Sequence, residues 1–207
     1  MPLFASYMNP LRAIWEITEN SEELIAQLAN REYIYPFIEK IKTEKRRREW
    51  LAVRLLLKEL LQEEATIAYH ANGAPYLPDH PYSISISHTD GFAAVVLHPE
   101  ENTPAGIDIE YRGDRIQKIR ERFLSEEENN AISLLRTSEH LLIYWCAKET
   151  LFKLIPEDEI DFREHLHIHP FPYSTTGKLL ASESRSTEKR RYELHYEVHE
   201  KFVLVYY

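Results

Sequence analysis

The sequence predicts an α+β protein built of two similar halves. Three observations carry that prediction. Each half contains a long helical pattern. Each then shows short extended pieces around a glycine. Each closes on a hairpin: YSISISH with FAAVVLH in the first half, YELHYEVH with KFVLVYY in the second. The seam falls in the loop 99–104, between Pro99 and Pro104, so the expected division is 1–103 and 104–207. A cleft between two such halves is a common place for a ligand.

The elements follow in order. Ser21 suits the N-cap of a short helix over SEELIAQLAN. A longer helix is expected over 43–63, because Trp50, Val53, Leu57, Leu60 and Leu61 recur at three- and four-residue spacing. TIAYHANGAPYL reads as two short extended pieces around Asn72-Gly73. YSISISH sets Tyr82, Ile84 and Ile86 against Ser83, Ser85 and Ser87, and Asp90-Gly91 turns the chain back into FAAVVLH. AGIDIEY is a further strand. Ser125 with Glu128 three residues on forms a capping box, whose helix is expected to run to about Arg136. The next helix starts near Ser138 and stops before Pro156. The tail alternates again through HLHIHPFPY, GKLLASES, RRYELHYEVH and KFVLVYY.

Composition excludes several classes. The 207 residues are 43% hydrophobic and 12% aromatic, enough for a core and unlike a disordered chain. Lys plus Arg is 25 and Asp plus Glu is 34, a net charge of −9, which argues against general nucleic-acid binding. No apolar run approaches the roughly 18 residues of a membrane span. The start MPLFASYMNPLR lacks a basic region followed by a long apolar run, and Cys146 is the single cysteine. A reducing cytoplasm with no intrachain disulfide is expected.

Five groups of residues could carry chemistry. Asp108 and Glu110 stand two apart on a strand, on one face, about 7 Å apart at Cα. Two such carboxylates repel unless a cation or proton lies between them, and a hard cation such as Mg²⁺ takes oxygen ligands. The same spacing also suits a half-exposed acidic strand. In WCAKETLFKL, Glu149 and Lys153 form an i,i+4 pair that either decorates an exposed helix or, with Lys148, holds a phosphate and a metal together. Ser87 and His88 end a strand and could contact a phosphate, or be turn residues only. Lys45, Arg46, Arg47 and Arg48 crowd a helix start, against the macrodipole; they suit an anion or a solvated face. His165, His167 and His169 alternate on one strand, too widely spaced for all three to reach one ion.

NGAPY, SISISH, AGIDIE and WCAKETLFK, in that order, resemble the successive motifs of the Sfp-type 4′-phosphopantetheinyl transferases. Gly106-Ile107-Asp108-Ile109-Glu110 and Trp145-x-x-Lys148-Glu149-x-x-x-Lys153 are the most specific pieces. Arg122-Phe123-Leu124-Ser125 with Glu128 resembles the family's segment between them, and Trp50-Leu51-Ala52-Val53-Arg54 its helix ahead of the Gly-Pro turn. The likeness covers about half of the chain, from Arg47 to Lys153. It implies two pseudo-symmetric α+β halves with the active site at their junction, in a monomer.

It also implies transfer of the phosphopantetheine arm of coenzyme A to a serine of an apo acyl or peptidyl carrier protein, with release of adenosine 3′,5′-bisphosphate. By that resemblance Asp108, Glu110 and Glu149 hold Mg²⁺ and Glu149 serves as base. Lys153 grips the pyrophosphate with Lys148 in support, and Arg54, Ser87 and His88 contact phosphates of coenzyme A. Ala74 departs from the pattern, standing where the family usually has lysine. Readings of other classes are a non-catalytic binder of coenzyme A or carrier protein, and a Mg²⁺-dependent nucleotide phosphohydrolase. The segment IQKIRERFL is expected either to dock the carrier through Ile116, Ile119, Phe123, Leu124 and its basic residues, or to turn those apolar residues inward.

Overall fold

The computed structural model describes residues 3–99, 103–155 and 159–207. It divides into two compact units, Met1–Pro104 and Ala105–Tyr207. Residues 100–102 of the expected seam, and Pro156, the expected stop of a helix, lie outside the described residues. No helix among the described residues is long and apolar enough to cross a membrane.

The first unit opens with strands β1 (Leu3–Met8) and β2 (Leu11–Glu16), which the sequence reading did not resolve. Helix α1 (Ser21–Ala26) is capped by Asn20, one residue ahead of the expected Ser21, in a capping box with Glu23. Helix α2 (Arg31–Ile38) was also missed; Pro36 masks it. Helix α3 (Glu44–Leu61) starts where Thr43 accepts the amide of Arg46. The short pair β3 (Ala68–Tyr69) and β4 (Pro75–Tyr76) brackets Gly73, whose φ of 85° favours glycine. Strands β5 (Ser83–Thr89) and β6 (Phe92–His98) form the expected hairpin around Gly91, φ 75°. The antiparallel sheet runs β1-β2-β6-β5. Its core joins Leu51, Leu55 and Leu56 of α3 to Ala13, Trp15, Val95 and Leu97.

The second unit begins with β7 (Ile107–Tyr111). A 3₁₀ helix (Asp114–Arg122) follows and buries Ile116, after which Phe123 and Leu124 are also buried. These three therefore pack inward, and the expected apolar docking face is not there. Helix α4 (Glu126–Asn130) has the capping box of Ser125 and Glu128 but stops six residues short of Arg136. The reason lies in the connector: the amide of Ser133 turns to Nδ1 of His140, 3.0 Å away. Helix α5 (Thr137–Leu154) then crosses the sheet. Strands β8 (Leu166–Ile168), β9 (Thr176–Glu183), β10 (Arg191–Val198) and β11 (Phe202–Tyr206) complete it, in the order β7-β11-β10-β9-β8.

The duplication is visible in the pairing. In each unit a strand is followed by a long helix, then by a hairpin whose second strand inserts beside the first strand. That gives β2-β6-β5 in one unit and β7-β11-β10 in the other. The fold is the expected α+β pair of similar halves.

Candidate active site

Helix α5 lies over β7 and β11 because it packs on Val203 and Val205 of β11 and because one glycine lets it approach β7. A Cβ at Gly106 would stand 2.9 Å from Leu154 Cδ2 and 3.0 Å from Thr150 Cγ2. Thr150 donates to Val205 O at 3.2 Å, and Val205 pairs with Asp108 across the sheet. The helix is thereby seated on the strand face that carries Asp108 and Glu110.

Three residues of α5 at four-residue spacing meet that face. Trp145 Nε1 donates to Glu110 Oε1 at 3.1 Å. Lys153 Nζ donates to Ile107 O at 2.7 Å and to Asp108 Oδ1 at 2.9 Å. Glu149 lies midway between Trp145 and Lys153 on the same helical face. Its electrostatics report the neighbours: burial first, then the charges of Asp108 and Glu110, push its carboxyl up to about 7 against the pull of Lys153. Asp108 is only 5% exposed, so it is an interior carboxylate and not the outer residue of an acidic strand. Trp145 is held in place by Phe123 and Phe162, ring centroids 5.1 and 5.7 Å away.

Among the described residues no group of three or more His, Cys, Asp or Glu stands at metal-ligand spacing, although Asp108 and Glu110 both act on Glu149. The physical reason is visible. Like charges spread apart unless a cation lies between them, so Asp108 takes Lys153 and Glu110 takes the indole N–H. The donor set still fits a hard cation in kind. It is all carboxylate oxygen, and Glu149, raised to about 7, sits in the negative field of the other two.

Lys148 does not join this site. It is fully buried, and its ammonium donates to Phe123 O at 2.6 Å, Glu128 Oε2 at 2.8 Å and Phe162 O at 2.8 Å. An ammonium has three protons, and all are used. The expected support of a pyrophosphate is therefore corrected: adjacent residues on a helix face different ways, and Lys148 faces the core.

The residues expected around coenzyme A phosphates in the first unit are also rearranged. Arg46 Nη1 stands 2.9 Å from His88 Nε2 and 3.0 Å from Glu49 Oε2. Arginine can only donate, so Nε2 of His88 accepts and its proton sits on Nδ1, 3.4 Å from Glu49 Oε2. Lys45 reaches Asp90 at 2.9 Å beside the hairpin turn. An open groove of about 410 Å³ runs between Lys45, Arg48, Glu49 and Gly91. Ser87 is 8% exposed on β5.

Arg54 is elsewhere. It is 5% exposed, its guanidinium lies 3.3 Å over the Trp50 ring, and Nη1 donates to Trp50 O. Eight residues of helix separate it from Arg46, about 12 Å along the axis. Arg46, and not Arg54, is therefore the arginine beside His88. The spacing of the basic run carried that signal, but the apolar context of Arg54 does not tell a packed arginine from a binding one. Ala74, in place of the family lysine, is exposed in the turn, its amide held by Asn72 Oδ1 at 3.0 Å.

The three histidines of the tail each have their own partner. His165 Nδ1 accepts from the Asp161 amide at 2.9 Å, while His167 and His169 face Ser184 and Ser182.

Two family models match the chain. The model of the 4′-phosphopantetheinyl transferase superfamily matches residues 104–206, and that of the 4′-phosphopantetheinyl transferase N-terminal domain matches residues 36–98. No curated protein matches it.

Proposed function

The chain belongs to the 4′-phosphopantetheinyl transferase superfamily, and on that premise we propose that it moves the phosphopantetheine arm of coenzyme A to a serine of an apo acyl or peptidyl carrier protein. Adenosine 3′,5′-bisphosphate is the second product. The observation that supports this reading best is the set on β7 and α5: Lys153 on Asp108, with Glu149 beside them.

In this reading the serine Oγ attacks the phosphorus that carries the pantetheine arm. A new P–O bond forms, the pyrophosphate bridge breaks, and the bridging oxygen leaves with the adenosine bisphosphate. The serine proton goes to Glu149, directly or through a water. Burial and the two neighbouring carboxylates raise the proton affinity of Glu149, which suits a group that accepts the serine proton. Lys153, now on Asp108, turns its ammonium to the pyrophosphate and offsets the charge that builds there. Asp108, Glu110 and Glu149 are the residues that would hold Mg²⁺, which when bound stabilises charge on the phosphoryl oxygens.

Arg46 and His88 suit the 3′-phosphate. Bound to that dianion, Arg46 exchanges one partner for another, and the hydrogen bond from His88 strengthens if the imidazole protonates. Ser87 remains a candidate for a neighbouring phosphate oxygen. The fused two-half chain works as a cytoplasmic monomer in this reading.

The test is the intact mass of a panel of apo carrier proteins after incubation with coenzyme A, Mg²⁺ and this protein. The reading expects the gain of one phosphopantetheinyl group on at least one carrier, lost when its acceptor serine is changed to alanine. Release of adenosine bisphosphate from coenzyme A with no carrier present would instead make the protein a phosphohydrolase.

A further inference from the structure

Glu49, in the second turn of α3, is 4% exposed and is a carboxylate beside the pair proposed for the 3′-phosphate. Its Oε2 stands 3.0 Å from Arg46 Nη1 and 3.4 Å from His88 Nδ1. A phosphate dianion is repelled by a negative charge at that place, so the position of Glu49 needs a reason. The surroundings sharpen the question. Around His88 and the groove stand the cations Lys45, Arg46 and Arg48 and the carboxylates Glu44, Glu49 and Asp90. Three positive charges meet three negative ones, so with a neutral imidazole the site carries no net charge.

The individual partners show what an anion would meet. Lys45 is engaged with Asp90 at 2.9 Å, and Glu44 accepts the Ser21 amide at 2.9 Å. Arg48 donates to Ile17 O at 2.6 Å, while its buried Nε has no partner and is an unsatisfied donor on the groove wall. His88 is the one group of this set whose ordinary titration falls near neutral pH. Its Nε2 accepts from Arg46 Nη1 at 2.9 Å and so carries no proton. A phosphate dianion can only accept, so that nitrogen must become a donor before it can hold one. Glu49, on the side of the other ring nitrogen, favours the charged ring.

We infer that Glu49 and His88 make the binding of a 3′-phosphate proton-coupled. The inference rests on the proposed use of this site by coenzyme A. As the dianion enters, Arg46 Nη1 leaves Nε2 for a phosphate oxygen. The Nε2 lone pair takes one proton from solvent, and the new N–H donates to the phosphate. Glu49 is a positioning residue: it orients the ring through the Nδ1 proton and offsets the imidazolium charge. The site thus gains one positive charge when the phosphate arrives. A nucleotide without a 3′-phosphate leaves the ring neutral and on Arg46, which separates the two kinds of donor.

The probes are adenosine 3′,5′-bisphosphate and adenosine 5′-monophosphate, which differ only in the 3′-phosphate and do not react. Calorimetric titration at about pH 8, in buffers of different ionisation enthalpy, counts the protons taken up on binding. A phosphate monoester, with its second pKa near 6, is already a dianion there, so an extra proton goes to the protein. The wild type is expected to take up about one proton more with the bisphosphate than with the monophosphate. His88→Gln should abolish that difference. Glu49→Gln keeps an acceptor oxygen and removes only the charge, and it should cut the difference by roughly half or more. Lost packing alone does not change a proton count. No extra proton in the wild type overturns the coupling, as does a difference that survives in His88→Gln or is undiminished in Glu49→Gln. Phosphopantetheine transfer is scored separately: transfer without the extra proton sinks the coupling alone, and no transfer sinks the functional reading.

Discussion

Lys148 and Glu128 form an ion pair inside the second unit, Nζ to Oε2 2.8 Å, with both side chains at most 4% exposed. Glu128 also accepts the amides of Ser125 at 2.7 Å and Ile168 at 2.8 Å. The pair thus ties the start of α4, the middle of α5, strand β8 and, through Lys148, the carbonyls of Phe123 and Phe162. Burial alone lowers the proton affinity of Lys148, and Glu128 offsets that. Glu128→Ala leaves a buried ammonium without its counter-charge and is expected to cost about 3–5 kcal/mol in urea unfolding. A loss below 1 kcal/mol would show that the pair is dispensable.

Gly106→Ala tests the seating of α5. The added Cβ meets Leu154 and Thr150 at 2.9–3.0 Å, so the helix must shift or the side chains must strain. A stability loss of about 1–3 kcal/mol is expected. Transfer should fall further than stability does, since the shift moves Glu149 and Lys153 off β7. Unchanged kcat/KM in a folded variant would show that the close approach does not set the site.

His140 makes stability depend on pH. Burial lowers its proton affinity from 6.5 to about 4, and it is 1% exposed. Its folded pKa is depressed, so the contribution is complete above pH 6.5. It declines as pH falls and is gone near pH 4, a range of about 3 kcal/mol in total. His140→Asn keeps an acceptor for the Ser133 amide and removes the titration. The variant should start less stable at pH 7.5, with a flatter slope between pH 6.5 and 5. Parallel denaturation curves for the two proteins across that window would exclude His140 as the cause.

Lys153→Ala and Glu149→Gln should each lower kcat for transfer by roughly 100- to 10,000-fold, several kcal/mol of transition-state stabilisation. Glu149 sits partly exposed on α5, so Glu149→Gln should keep the unfolding free energy within about 1 kcal/mol of wild type, whereas Lys153→Ala also leaves the buried Asp108 without its counter-charge and should lower stability as well. Mg²⁺ binding should also be pH-dependent: a proton on Glu149 competes with the cation, so affinity rises as pH increases toward about 7 and levels off above. Calorimetric titration across pH 6–8 reads that slope, and a flat profile would remove Glu149 from the ligand set.

Arg46 and Arg54 separate binding from packing. The ratio of kcat/KM for coenzyme A and dephospho-coenzyme A should shrink by about 10-fold or more in Arg46→Ala, the loss of one charged contact. Arg54→Ala should leave that ratio alone and lower stability instead, because it removes a guanidinium stacked 3.3 Å over Trp50. The opposite outcome would move the 3′-phosphate to Arg54.

Much of the fold was legible because its signals are local. The alternation of YSISISH and FAAVVLH with Asp90-Gly91 between them specifies β5, β6 and their turn. Thr43, Ser125 and Glu128 mark helix starts within one turn of chain. Spacing singled out Asp108, Glu110, Glu149 and Lys153 but suited an acidic strand and an exposed ion pair as well, and the roles proposed for them came from the resemblance. What sequence could not supply was the direction of a side chain against a distant segment. Lys148 and Glu149 are neighbours in the chain, yet one closes a buried ion pair with a residue 20 positions away and the other faces β7. Arg46 and Arg54 lie on one helix, and only the arrival of the β5–β6 hairpin at its start makes Arg46 the partner of His88, 42 positions on. Local periodicity depends on backbone geometry that every few residues repeat. The choice among polar partners depends on which groups burial brings within 3 Å, and that is decided by tertiary packing.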